Sequence, residues 1–186
     1  DYYYIEQRIE GYNTTDLNFG TANAKTVTLS FWVRSSLTGT FGGGLTNGNY
    51  TRSYPFTYTI SSANTWEQKI ITIPGDQSGT WLTTNGSGIS VQIGLGVGST
   101  SSGTAGAWAG AWYGSATGAV SVIGTNAATF YITGIQLEKG TQATPFEFRQ
   151  YGTELALCQR YYEVWNAQVY SNSGSGGSNY YVYWQY

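Results

Sequence analysis

The segment "GISVQIGLGVG", residues 88–98, places Ile89, Val91, Ile93, Leu95 and Val97 at every second position. Between them stand Ser90, Gln92, Gly94 and Gly96, all polar or small. A helix face recurs about every 3.6 residues, so unbroken alternation marks a strand with one face in a core. "KTVTLSFWVRS" repeats the pattern: Val27, Leu29, Phe31 and Val33 point inward, and Thr28, Ser30, Trp32 and Arg34 point outward. "YYYIEQRIEGY" sets Ile5, Gln7 and Ile9 against Glu6, Arg8 and Glu10, with Arg8 between two acids as a solvated charge ladder. "YPFTYTI" and "EQKIITI" are further strands, and the intervening "SSANT" is expected to join them as a hairpin.

In "ATFYITGIQLEKG" the phase slips. Phe130 and Ile132 share a face, but the apolar positions resume at Ile135 and Leu137, so a β-bulge is expected at Gly134. Long Gly-, Ser- and Thr-rich stretches separate the strands: "LTGTFGGGLTNGNYTRS", "GDQSGTWLTTNGSG" and "STSSGTAGAWAGAWYGSATG". Loops of this length in a compact domain are usually functional or disordered. Many short strands, polar turns and little helix predict an all-β fold, an antiparallel sandwich of jelly-roll type over residues 1–149.

After Arg149 the pattern changes. "TELALCQRYY" is helical, capped by Thr153, with Leu155, Cys158 and Tyr162 on one face; Cys158 is expected to be a buried thiol. "YYEVWNAQVY" and "NYYVYWQY" then read as an aromatic β-hairpin within residues 150–186, too small to bury its own faces. Completion by neighbouring subunits is expected, with Tyr161, Tyr162, Trp165, Tyr170, Tyr181, Tyr183 and Trp184 at an oligomer interface. The start at Asp1 and the stop at Tyr186 within a strand-like pattern read as a segment of a longer chain.

Composition narrows the chemistry. Charged residues are 10% of the chain and the net charge is −2, with eight Lys and Arg scattered singly, so no basic stripe serves a nucleic acid. No apolar run approaches the roughly 20 residues of a membrane span. A single cysteine and no histidine rule out an internal disulfide, a Ser-His-Asp triad and a histidine or multi-thiolate zinc site. A glycosidase needs two carboxylates at a set separation, and no pair stands out, so no enzymatic activity and no cofactor are expected. The runs "GLGVG" and "FGGGLTNG" lack the Lys-Ser/Thr of a phosphate loop and read as small outward residues and turns.

The aromatic residues carry the signal. Sugars present C–H faces rimmed by hydroxyls, which suit exposed rings among short polar side chains. Trp108, Trp112 and Tyr113 on the long small-residue loop fit this chemistry. Trp81 is a second candidate, and the outward pair Trp32 and Arg34 a third. Trp108 and Trp112 fit packing against a neighbouring subunit equally well. Trp66, ahead of "EQKII", reads as a residue of the sandwich edge core.

Two sets of motifs resemble known families. "IEQRIEG", "AKTVTLSFWVRSS" and "TYTISSANTWEQKIITIPG" resemble the carbohydrate-binding jelly rolls that accompany bacterial glycoside hydrolases. "FYITGIQLEKGTQATPFEFRQYGTELALCQRYYE" resembles a segment recurring in tail-fibre and other virion appendage proteins of bacteriophages, where it closes a jelly roll with a strap across the sandwich. The resemblance implies a structural domain of an extracellular phage particle. It further implies assembly as a homotrimer, contact with other virion proteins and recognition of host cell-surface carbohydrate. A capsid fibre or decoration protein, and a carbohydrate-binding module of a secreted hydrolase, remain alternatives. The hydrolase-linked modules often carry last-strand acids near a structural calcium. Thr133 and Gly134 occupy those places, leaving Glu6 and Glu138 as weak calcium candidates and no metal expected.

Overall fold

The computed structural model describes residues 1–162, 168–172 and 179–183. The chain forms two units, Asp1–Phe146 and Glu147–Tyr186, with the boundary slightly before the one expected from sequence. In chain order the strands of the first unit are β1 (Tyr2–Glu10), β2 (Val27–Ser35), β3 (Gly39–Asn47), β4 (Ser53–Ile60), β5 (Glu67–Ile73), β6 (Ser87–Val97), the two-residue β7 (Ser102–Gly103) and β8 (Ser115–Ala116), and β9 (Phe130–Lys139). β1 to β6 and β9 build an antiparallel β-sandwich whose sheets run β1-β6-β3-β4 and β5-β2-β9, while β7 pairs with β8 in parallel.

The alternation seen in the sequence sets the core. Val27, Leu29, Phe31 and Val33 of β2 are fully buried and meet Phe41, Leu45, Phe56 and Ile60 of the opposing sheet. Phe31 lies edge-on to Tyr58 at 5.1 Å, and Phe41 reaches Phe130 at 6.1 Å, so aromatic contacts bridge the two layers. Each such side chain contributes about 1.5–3 kcal/mol by leaving water. At the bulge, the β2–β9 register jumps between Ser30 and Trp32, and Gly134 takes φ +58, a left-handed backbone that favours glycine.

Beyond β9 the chain is a strap over the outer face of the β5-β2-β9 sheet. Thr28 Oγ1 donates to the Gly140 carbonyl at 2.9 Å, and the Thr144 amide donates to Glu138 at 3.0 Å. Thr28 and Ser30, outward by phase, are buried, Thr28 against the start of the strap.

Several expectations are corrected. "FGGGL" is not loop: it forms β3, because Phe41 and Leu45 fill the core and the glycines admit other backbone against both faces. β4 and β5 do not form a hairpin. β4 pairs with β3 and β5 pairs with β2, so residues 61–66 cross between sheets, and the Glu67 carboxylate accepts from the Ser61 and Ser62 amides at that corner. Trp66 is exposed at the corner rather than part of the core. "GYNTTDL" forms a 3-10 helix over Gly11–Leu17.

In the second unit, α1 (Tyr151–Gln159) begins one turn earlier than expected, with extended Gln150 at its N-cap instead of Thr153. Leu155 and Leu157 stand roughly 200° apart on such a helix, so it has no single apolar face, and Cys158 is exposed rather than buried. β10 (Gln168–Asn172) pairs antiparallel with β11 (Asn179–Tyr183), placing Tyr170 opposite Tyr181. Tyr161 and Tyr162 are exposed. Trp165 and Trp184, and the side chains of Tyr170, Tyr181 and Tyr183, lie outside the described residues.

Candidate functional site

The long segment 98–129 lies on the outer face of the β1-β6-β3-β4 sheet, and the outward glycines are its bed. A Cβ built on Gly44 would stand 2.7 Å from the Tyr113 carbonyl oxygen, and one on Gly42 2.4 Å from Ser115 Oγ. On β6, Gly96 leaves the same room for Ile123. Backbone bonds fasten the segment: Val122 N donates to Leu95 O at 2.7 Å, Val120 N to Thr40 O at 2.8 Å, and Ala109 N to Ser53 O at 2.8 Å. Ser53 Oγ completes the attachment by donating to Ala111 O and accepting from the Tyr113 amide.

This anchorage delivers Trp112 to the β1 edge, where an alternating face presents Tyr2, Tyr4, Glu6 and Arg8. The Trp112 indole Nε1 donates to Gln92 Oε1 at 3.1 Å, and Gln92 Nε2 donates to Glu6 Oε1 at 3.0 Å. Tyr50 OH donates to the same oxygen at 2.7 Å, while Arg8 Nε donates to Glu6 Oε2 at 3.1 Å. Arg8 also donates to Tyr50 OH at 2.8 Å, closing the network. Rings surround it. Tyr2 and Tyr4 stack at 5.7 Å, and Trp112 stands edge-on to Tyr2 at 5.0 Å and to Tyr50 at 6.2 Å. Tyr50 occupies the β3–β4 turn at φ +55, held by Asn47 Oδ1, which accepts from the Thr51 and Arg52 amides.

Partial burial raises the Glu6 pKa, but hydrogen bonds from Tyr50, Gln92 and Arg8 outweigh it and hold the carboxyl below the usual carboxylate range. Burial, together with the Glu6 charge, pushes the Tyr4 and Tyr50 phenols up, so both stay protonated at neutral pH. The site therefore offers phenol, amide and guanidinium hydrogen-bonding groups beside flat rings, around a carboxylate whose charge is already answered. Because the folded-state pKa of Glu6 is depressed, its stabilising effect is complete above the unfolded value of about 4.3 and is lost as pH falls through the folded one. The Trp112 indole N–H resonance should hold constant from neutral pH to about 5 and then shift in acid. Glu6→Gln should abolish that transition; an unchanged acid transition in Glu6→Gln would detach Glu6 from the network.

The other sequence candidates fall elsewhere. Trp108 donates its indole N–H to Pro74 O at 2.7 Å and packs among Phe19, Tyr54 and Trp81, pinning the base of the long segment. Trp81 donates to Ser78 O and lies edge-on to Phe19, so it belongs to the same aromatic cluster. Tyr113 lies over Gly103, where a Cβ would meet its ring at 2.5 Å. Trp32 and Arg34 stand on β2, in the other sheet. Glu6 and Glu138 also belong to different sheets, and Glu138 is bound by Thr144, so the two do not share a cation. Among the described residues no group of three or more acidic or sulfur ligands converges.

Tyr2, Tyr4, Tyr50 and Gln92 do not stand out in the sequence as site residues, and Glu6 and Arg8 read there as a solvated charge ladder, Glu6 also as a weak calcium candidate. Two signals pointed to them. Tyr2, Tyr4, Glu6 and Arg8 share one phase of β1, and Gln92 is the only long polar side chain on the small-residue face of "ISVQIGLGV".

Comparison with protein-family models, with curated proteins and with solved structures returns no match. No helix among the described residues is long and apolar enough to cross a membrane.

Proposed function

We propose that this chain is a non-enzymatic jelly-roll domain of a virion appendage that binds host-surface glycans on the Trp112 face. The observation that carries the reading is the combination of Tyr2, Tyr4, Tyr50 and Trp112 rings with the Gln92–Glu6–Arg8 hydrogen-bond network. Rings supply C–H contact to a pyranose, and a fixed network of donors and acceptors orients its hydroxyls without reorganising on binding. Glu6 is the one carboxylate in this network and is held ionised, which suits recognition; hydrolysis needs a second carboxyl acting as acid or base. The virion assignment rests on the resemblance of "GIQLEKGTQATPFEFR" and "CQRYYE" to phage appendage segments. Display on a homotrimer would raise a weak single-site affinity by avidity.

Trp112→Ala tests the reading. Loss of one aromatic–sugar contact should weaken glycan binding by about 5- to 150-fold, by analogy with aromatic stacking worth about 1–3 kcal/mol. The measurement is titration with host-surface oligosaccharides at matched oligomeric state, with a melting curve for each protein. Wild-type binding retained by a folded Trp112→Ala protein would refute it.

A further inference from the structure

The opposite sheet carries a second cluster that the Trp112 face does not use. On β2, Trp32 and Arg34 point outward two residues apart, with Phe146 of the strap beside Trp32 at Gly134. Arg34 is directly opposite Tyr131 of β9, its guanidinium 5.6 Å from the ring centroid. Trp32 is opposite Thr133 on one side and Gln68 of β5 on the other. Trp32 is 42% exposed and Tyr131 48%, although both belong to a three-stranded sheet.

Arg34 is the unusual member. Its Nε is buried without a hydrogen-bond partner, and it forms no ion pair among the described residues. In a chain of net charge −2, an uncompensated, half-buried guanidinium is a cation waiting for an anion. The cation–π contact with Tyr131 orients the plane and leaves the charge unneutralised. Alternate residues on a strand lie about 7 Å apart, roughly one sugar ring with its carboxylate substituent. An aromatic ring at one end of that span and a guanidinium at the other match the apolar face and the acid of one pyranose. Thr133 and Gln68, opposite Trp32 on the two neighbouring strands, offer a hydroxyl and an amide to the sugar hydroxyls.

We propose that Trp32, Arg34 and Tyr131 form a second glycan site, selective for a carboxylate-bearing pyranose such as a sialic or uronic acid. The Trp112 face, whose carboxylate is already paired, suits neutral sugars, so the domain reads two sugar chemistries on opposite sheets.

The test is a titration of isotope-labelled protein, followed by NMR, with sialyllactose, with trigalacturonate, and with lactose as the neutral control. The expected result is shifts at the Trp32 indole and β2–β9 amides with at least one acidic sugar and none there with lactose; the responding acid identifies the source. Arg34→Gln and Trp32→Ala should each weaken this binding about tenfold or more, as expected for loss of a charge-assisted bond or a ring contact. Trp112→Ala should leave it unchanged, which separates the proposal from the reading of the first face. Should Arg34→Gln fail to fold, Trp32→Ala at an exposed position still decides. No shift on this face with either acid, equal response to lactose, or acidic-sugar binding that survives a folded Arg34→Gln or Trp32→Ala would overturn the site.

Discussion

Replacing Gly44 by valine should destabilise the sandwich by about 1–3 kcal/mol and abolish the glycan binding proposed for the Trp112 face. Strand propensity alone argues the reverse, since valine favours a strand where glycine weakens it by roughly 0.5–1 kcal/mol relative to alanine. The contact decides the sign. A Cβ at this position stands 2.7 Å from the Tyr113 carbonyl oxygen, which is main chain and cannot rotate away. Segment 98–129 would have to lift, and Trp112, the residue before Tyr113, would lose its 3.1 Å bond to Gln92. Gly44→Ala should show the same changes to a smaller degree. A valine variant that melts at or above the wild-type temperature and still binds glycan would show that the glycine bed does not hold the segment in place.

The same contact explains what the sequence concealed. Alternation in residues 27–33 and 89–93 was legible because each strand keeps one apolar phase, and the residues of that phase are buried in the core. The bulge was legible from a phase slip closed by a glycine, whereas the strap was expected only from the resemblance. β3 was not legible. Gly42, Gly43 and Gly44 erase the phase because other atoms fill the space of their side chains: the Ser115 hydroxyl and the Tyr113 carbonyl outside, the Phe56 ring within. Pairing of β4 and β5 was misread because a short connection fits a hairpin and a corner equally well, and only the register with β3 and β2 separates them. The site was half legible. Trp112 stood out by its loop, but its partners come from β1, the β3–β4 turn and β6, and a single strand cannot reveal which distant hydroxyl meets its carboxylate.

Asp76→Ala should lower stability by about 3 kcal/mol, the low end of the range for breaking a buried ion pair. For a chain of this size that is roughly 6–12 °C of melting temperature. Asp76 is 2% exposed and grips Arg52 in a two-point bond, Nε to Oδ2 at 2.6 Å and a terminal nitrogen to Oδ1 at 2.8 Å. Arg52 is 17% exposed and keeps some water when its partner is removed, hence the low end. Arg52→Ala should cost more, because it strands a carboxylate that is almost wholly buried and keeps the Ser78 amide at 3.1 Å. The double variant should recover part of the loss, since neither charge is then left unpaired. The effect should reach the site as well. The pair ties the loop after β5 to the β3–β4 turn, where Asn47 also donates to Thr80 O at 3.0 Å. That turn sets Tyr50, and Tyr50 donates to Glu6. Weaker glycan binding by folded Asp76→Ala protein at low temperature is therefore expected, with the Tyr50 ring resonances moving in step. Unchanged affinity and unchanged Tyr50 signals beside a lowered melting temperature would confine Asp76 to holding the fold.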